Sequence, residues 1–300
     1  MIAVAQCRIV AAPRPEGHSV IHPKKPQSTA AVAAHYDELD SFYREIWGEH
    51  VHHGYWPTGR ESAAQAAVAL VQLLAECLRL SPGQRVCDIG CGYGETARFL
   101  AARHAINVTG VTISAVQARR AEARSATPGR VSVQVQDWLT NRFASQSFDR
   151  AYAIESSEHM TDKQRFFQEA FRTLRPNGVF VVCAWLARRE PRPWEIRYLL
   201  EPICREGRLP GLGDEADYRL LAEHAGFNVL QVKDISDQVS RTWAICIRRM
   251  LGKFFTQPRY LRLLLNGEAT NRIFALTMMR ILIAYRTRSM RYCVLVFRRP

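Results

Sequence analysis

Acidic residues are scarce in two places where their absence matters. Residues 241–300 contain thirteen Lys or Arg against the single Glu268, so this last fifth of the chain carries +12 of the net +13. Residues 108–117, VTGVTISAVQ, contain no carboxylate. They lie about 20 residues beyond a glycine-rich turn, the distance at which dinucleotide sites keep the Asp or Glu that holds a ribose hydroxyl. The eight cysteines, at 7, 77, 87, 91, 183, 204, 246 and 293, form no C-x-x-C pair and have no histidines at zinc-finger spacing. Neither a disulfide framework nor a structural zinc site is suggested, and a reducing, cytoplasmic location is expected. No run approaches the roughly 20 uncharged apolar residues of a membrane span. Residues 1–30 lack an apolar signal core and hold Glu16 as their only acid, which suits a flexible arm and also the composition of a transit segment. No internal repeat or low-complexity segment is present.

What remains is a chain of 300 residues, 47% hydrophobic, enough for a full core in one large domain or a domain with an insertion. Its polarised charge calls for an anionic partner on one face. In RYLRLLLNGEATNRIFALTMMRILIAYRTR (259–288), Arg259, Arg262, Arg272, Arg280, Arg286 and Arg288 alternate with large aliphatic residues. That pattern fits a helix resting peripherally on an anionic membrane surface or a lid over a greasy acceptor, and equally a core-packed helix with snorkelling arginines. It does not fit a hydrophilic, aromatic-studded groove, so no nucleic-acid partner is expected.

Strand and helix signals alternate after residue 60. A helix at 62–79 precedes strand RVCDI (85–89), and βα units follow through strands at 107–112, 131–136, 148–154 and 179–185; further strands are predicted at 227–235 and 291–299. Short βα repeats with apolar strands predict an α/β fold, a parallel sheet with helices on both faces. The expected organisation is an arm (1–30), a helical segment closing over a ligand (31–80), a ligand-binding core (81–236), a mostly helical cap inserted before the last strand (237–290) and a terminal core strand (291–300).

Ligands of such sheets sit at the carboxyl ends of the strands. There the first strand gives Asp88, Gly90, Gly92 and Gly94, whose glycines admit a ligand to backbone N–H groups at the positive end of a helix. The pattern is G-x-G-x-G, not the G-x-G-x-x-G of a dinucleotide site. The second strand ends in Thr112, Ile113, Ser114 and Gln117, whose hydroxyls and amide can satisfy ribose hydroxyls without charge; Ser114 can alternatively cap a helix. Asp137 and Trp138 follow the third strand, suited to an adenine amino group or to a turn. IESSEHM (154–160) sets Glu155, Glu158 and His159 beyond the fourth strand. For proton removal His159 is the first base candidate and Glu158 the second; either can instead cap a helix or pair with an arginine. Phe148-Asp149 and the turn Arg175–Gly178 read as structural punctuation. His50, His52 and His53 match no familiar metal-ligand pattern, so no metal is expected.

D-x-G-x-G-x-G resembles motif I of class I S-adenosylmethionine-dependent methyltransferases, and the T-x-S-x-x-Q ending of the second strand resembles the branch containing cyclopropane fatty acid, tocopherol and sterol methyltransferases. HYDELDSFYREIWGEHVHHGYW (35–56) is similar to the segment before motif I in gamma-tocopherol methyltransferases. TISAVQARRA, ESSEHM with DK at 162–163, PWE at 193–195, ADY at 216–218, Trp243 and the ending CVLVFRRP agree as well, so the resemblance covers roughly residues 35–300. It implies a Rossmann-like methyltransferase sheet, S-adenosylmethionine as cofactor and methylation of an aromatic carbon beside a phenol on a prenylated chromanol. Tyr36 and the His53–Tyr55 segment would then close over the cofactor, with Glu155 beside it, while His53, Trp194, Trp243 and Tyr285 would line the pocket of a lipophilic acceptor. Glu95 departs from the family's small residue after the glycine turn. Competing expectations are methylation of a prenyl diphosphate, with Arg248, Arg249 and Arg286 on the phosphates, methylation of an alkaloid-like nitrogen, and a cofactor-binding scaffold without chemistry.

Overall fold

From residue 85 to residue 187 each strand returns through a helix or turn to run beside an earlier one, which builds a parallel sheet. In the computed structural model, residues 20–48, 50–122, 129–257 and 274–300 are described. The strands are β1 Arg85–Ile89, β2 Asn107–Thr112, β3 Arg130–Val135, β4 Phe148–Ile154, β5 Leu174–Ala187, β6 Asn228–Asp234 and β7 Met290–Arg298. They form one sheet in the order β3-β2-β1-β4-β5-β7-β6. β7 alone runs antiparallel, with Cys183 facing Val294 on one side and Asp234 facing Cys293 on the other. Chain order moves outward from β1 to β3 and then jumps to β4 on the other side of β1. The crevice at the carboxyl ends of β1 and β4 is the switch point at which open α/β sheets bind ligands.

Two apolar layers cover the sheet. One packs Leu70, Leu74 and Leu78 of α3 (Ala63–Leu78) and Leu100 of α4 (Glu95–His104) with Val86, Val108 and Tyr152. The other packs Phe166 and Phe167 of α6 (Lys163–Thr173) and Tyr218 against Phe180, Leu295 and Phe297. A capping box starts α3, where Ser62 accepts from Gln65 N and the Gln65 side chain accepts from Ser62 N. At the opposite edge from the crevice, Asp149 accepts from Arg85 N at 2.8 Å and pairs with Arg175 at 2.6 Å, so these residues do serve as structural punctuation.

Of two short helices, α1 (Thr29–Glu38) lies over the crevice, and α2 (Asp40–Trp47) follows it, with Asp40 accepting from Tyr93 Oη at 2.8 Å. The cap contains the packed helices Arg241–Thr256 and Phe274–Arg286. A helical stretch from Pro193 to Glu206, assigned to the core from sequence, also packs against Phe274–Arg286. Thr277 donates to Glu206 at 2.6 Å and Arg280 pairs with the same carboxylate. Arg259, Arg262 and Arg272 lie outside the described residues.

Candidate active site

The turn after β1 is shaped by close packing. Gly90 has φ +81°, and a Cβ there would lie 2.3 Å from the Ser156 Cβ, so only glycine lets the loop pass beneath the end of β4. Gly92 has open space where a side chain would stand, and it lines the crevice. Beneath the turn, buried Asp88 accepts from Tyr152 Oη at 2.8 Å. Burial pushes this carboxyl up to about 7, against the lowering effect of the tyrosine hydrogen bond. Glu95, the departure after the glycines, pairs with Arg98 at 2.6 Å, and Arg98 also donates to Tyr93 O and Ala121 O. Its charge is thus compensated locally.

Two confluent hollows share Val51, Gly90, Gly92, Tyr93 and Ile154. The longer runs past Tyr36, Thr112, Ile113, Gln117, Asp137, Trp138, Glu155 and His159; the smaller holds His50, His52, Asp88 and Glu95. Most of the residues singled out for the cofactor in the sequence therefore converge on one cleft. Gln117 Oε1 accepts from Thr112 Oγ1 at 2.9 Å, leaving the amide NH2 to face outward. Ser114 is otherwise engaged: its hydroxyl accepts from Gln117 N at 3.1 Å as the cap of α5 (Ala115–Glu122) and donates to Asp37 at 2.5 Å. An acid does stand at the end of β2, delivered from α1, 77 residues away in sequence. Asp137 lines the cleft while capping the turn Trp138–Thr140, accepting from Leu139 N at 2.9 Å and from Thr29 Oγ1 at 3.3 Å. Trp138 is buried and donates to Phe166 O.

Three groups of IESSEHM separate here. Glu158 is buried away from both hollows, accepting from Trp185 N at 2.6 Å and Ser157 Oγ at 3.1 Å, which ties the 3₁₀ turn to β5. Burial raises it to about 7. The structure thus gives Glu158 a positioning task in place of the base role. His159 faces the cleft. Its Nδ1 can only donate to Arg208 O at 3.3 Å, so Nε2 accepts from Tyr36 Oη at 2.8 Å. Burial lowers the imidazole to about 4, so it is neutral near pH 7, and burial likewise raises the Tyr36 phenol. Tyr36 stacks on Tyr43 at 5.4 Å.

Glu155 has φ +50°, unusual for a non-glycine residue, and ends β4 with its carboxylate in the cleft. Oε1 accepts from His53 N at 2.7 Å and from Tyr292 Oη at 2.9 Å, and lies 3.0 Å from His53 Nδ1. Burial works to raise this carboxyl, but the His53 side chain and N–H, with His52, outweigh it and hold it at about 2. His53 is fully buried behind it, in contact with Trp185, Trp243, Tyr285 and Tyr292. Trp243 Nε1 donates to His53 Nε2 at 2.6 Å, so the ring proton sits on Nδ1, 3.0 Å from Glu155 Oε1 but not aligned for a hydrogen bond to it. His53, Trp243 and Tyr285 therefore form a buried hub joining the cap to Glu155; they are not an open acceptor surface.

Two further expected site residues stand elsewhere. Tyr55 lies outside both hollows with Lys233 5.7 Å from its ring. Trp194 is exposed at the start of the helical stretch that follows β5. Among the described residues no group of three metal-ligating side chains is brought together. Asp37, Thr29 and Tyr93 were not singled out in the sequence. Tyr93, inside the glycine turn itself, offered the one local signal.

The groups present suit a sulfonium nucleoside: open space over Gly92, an outward-facing amide and unpartnered buried ring nitrogens on His50 and His52. The sequence description of the mycolic acid cyclopropane synthetase family matches residues 23–281. A probable chloroplastic tocopherol O-methyltransferase of Oryza sativa subsp. japonica is 31% identical over 287 residues, covering 90% of this chain and 78% of the relative. Mycolic acid cyclopropane synthase CmaA1, solved with SAH and CTAB, superposes with a TM-score of 0.80 at 21% identity, over 92% of this chain and 99% of the other. Geranyl diphosphate C-methyltransferase from Streptomyces coelicolor A3(2), solved with Mg2+, geranyl diphosphate and S-adenosyl-L-homocysteine, gives 0.68 at 19% identity, over 93% and 100%. With the expected Rossmann-like sheet present, the chain belongs to the mycolic acid cyclopropane synthetase family and is an S-adenosylmethionine-dependent methyltransferase.

Proposed function

We propose that the protein methylates a prenylated phenol of the tocopherol type, at the ring carbon beside the hydroxyl. The supporting observation is Glu155, a carboxylate held ionised in a cleft otherwise lined largely by apolar and aromatic side chains. In this reading Asp88, Gly90 and Gly92 hold the amino-acid tail of the cofactor, Thr112, Ile113 and Gln117 its ribose, and Asp137 and Trp138 its adenine, under Tyr36; Gly94, which packs against Arg98 and Ala121 and lines neither hollow, serves to start the following helix. The bound sulfonium supplies an electrophilic methyl group. Glu155 accepts a hydrogen bond from the acceptor's hydroxyl and takes its proton as the ring carbon is alkylated; the dienone so formed loses the ring proton at that carbon to water and recovers the hydroxyl proton from Glu155, which restores the phenol. A group ionised down to about pH 2 is too weak a base for a neutral phenol but strong enough for an alkylated one. His159, oriented by Tyr36 and Arg208 O, borders the reacting hydroxyl without changing charge. Alignment of methyl and ring carbon supplies much of the remaining rate.

Such an acceptor arrives from a lipid phase. The outer faces of the two cap helices expose Leu251, Phe255, Leu276, Met279 and Ile283 beside exposed Arg248, Arg286 and Arg288, which suits an anionic membrane surface. The prenyl diphosphate alternative draws less support. Arg249 donates to Ile46 O and Trp47 O, Arg248 and Arg286 are exposed, and none of the three lines the cleft. Incubation with methyl-labelled donor and a lipid extract should label a prenylated phenol, faster in anionic than in neutral vesicles. Label confined to a diphosphate, an amine or nothing would refute this acceptor.

A further inference from the structure

Behind the glycine turn the smaller hollow has a polar wall that neither the acceptor chemistry nor the ribose accounts for. His52 is 7% exposed and lines it with Asp88, Gly90 and Gly92. Its Nδ1 lies 2.8 Å from His53 O, a carbonyl, so Nδ1 carries the proton and donates. The other ring nitrogen, Nε2, is then a bare lone pair, buried without a partner. A lone pair in that state costs free energy until a donor reaches it. His50 brings a second unpartnered nitrogen, Nδ1, to the same wall. Burial, followed by the mutual effect of His52 and then Arg98, lowers His50 to about 4, and burial lowers His52, so neither ring becomes a cation that would repel a positive ligand.

The carboxylates in the hollow are committed elsewhere, Glu95 to Arg98 and Asp88 to Tyr152. Neither is left to take up the lone pair's missing donor. A buried acceptor nitrogen on a wall without a cationic ring admits a hydrogen-bond donor that is itself positively charged. Resting on the cofactor placement above, we propose that neutral His52, through Nε2, receives the α-ammonium of the cofactor's amino-acid tail. His52 is thus a cofactor-binding residue that discriminates for the amino group, and the glycine turn is left to meet the tail's carboxylate.

The test is calorimetric and needs no turnover. The full chain, as wild type, His52→Ala and His52→Gln, is titrated with S-adenosylhomocysteine and with the analogue lacking only the α-amino group. A hydrogen bond to a charged group predicts that His52→Ala weakens S-adenosylhomocysteine on the order of 10- to 100-fold while changing the deamino analogue by less than about twofold. Gln, whose amide oxygen reaches the place of Nε2, should recover part of the loss. Wild type should itself prefer the amino ligand by about tenfold or more. Equal weakening of both ligands in His52→Ala, or wild type binding the two alike, overturns the proposal. The latter comparison stands even if a variant fails to fold. Wild type binding neither ligand would instead sink the cofactor placement on which this rests.

Discussion

Glu155→Gln should lower kcat by about 10²–10⁴-fold, the usual worth of a positioned acid or base, while leaving affinity for S-adenosylhomocysteine within about threefold. The reasoning rests on what the amide keeps. Gln Oε1 can still accept from His53 N and Tyr292 Oη, which lie 2.7 and 2.9 Å from Glu155 Oε1, so the end of β4 and its strained backbone are retained. What it lacks is the charge and the capacity to take a proton from the acceptor's hydroxyl as the ring turns cationic. Single-turnover rates with methyl-labelled donor, paired with calorimetric affinities, separate these effects. Unchanged turnover would remove Glu155 from the chemistry and return attention to His159.

The second large effect lies one layer back. His53→Phe fits the volume of the hub but strips Trp243 Nε1 and Tyr285 Oη of their acceptor and removes the imidazole 3.0 Å from Glu155. Unpaired buried polar groups of this kind cost about 2–4 kcal/mol in total, readable in urea melts at pH 7. The pH dependence has a definite sign. Glu155 falls from its ordinary 4.5 to about 2 in the folded protein because His53 outweighs burial. A depressed carboxyl stabilises the fold above its unfolded value, and that contribution is lost as pH drops from about 4.5 through about 2. Without His53, burial acts with less opposition and the folded value rises. The acid limb of kcat/KM should move to higher pH, while the loss of stability that Glu155 contributes between about pH 4.5 and about 2 should shrink. A profile unchanged at its acid side would show that His53 does not govern Glu155.

The sheet was legible because its strands are short apolar runs separated by helical periods, and the glycine turn because its spacing leaves few other uses. The cofactor end of the cleft was largely legible for the same reason: Thr112, Gln117, Asp137 and Trp138 follow their strands directly. Less legible was which of two carboxylates, three residues apart in ESSE, faces the cleft. A 3₁₀ turn sends Glu158 into the protein against Trp185 N and leaves Glu155 at the mouth, and no pattern in the heptapeptide encodes that choice. The acid missing from residues 108–117 was invisible in a different way. Asp37 reaches Ser114 from α1, and only the fold converts a separation of 77 residues into a 2.5 Å contact. Trp194 and Tyr55 failed as site residues because an aromatic ring in a cap or an extended segment carries no mark of the side it faces.

At the centre of the account is the placement of a sulfonium nucleoside along the carboxyl ends of β1, β2 and β4. A crystal structure with S-adenosylhomocysteine tests it directly. The ribose should lie against Thr112 and Gln117, the adenine beside Asp137 and Trp138, the tail over Gly90 and Gly92 with its amino group at His52, and the sulfur toward Glu155. A nucleoside bound instead in the open groove between Lys163 and Tyr218, or with its tail and adenine ends exchanged, would contradict it.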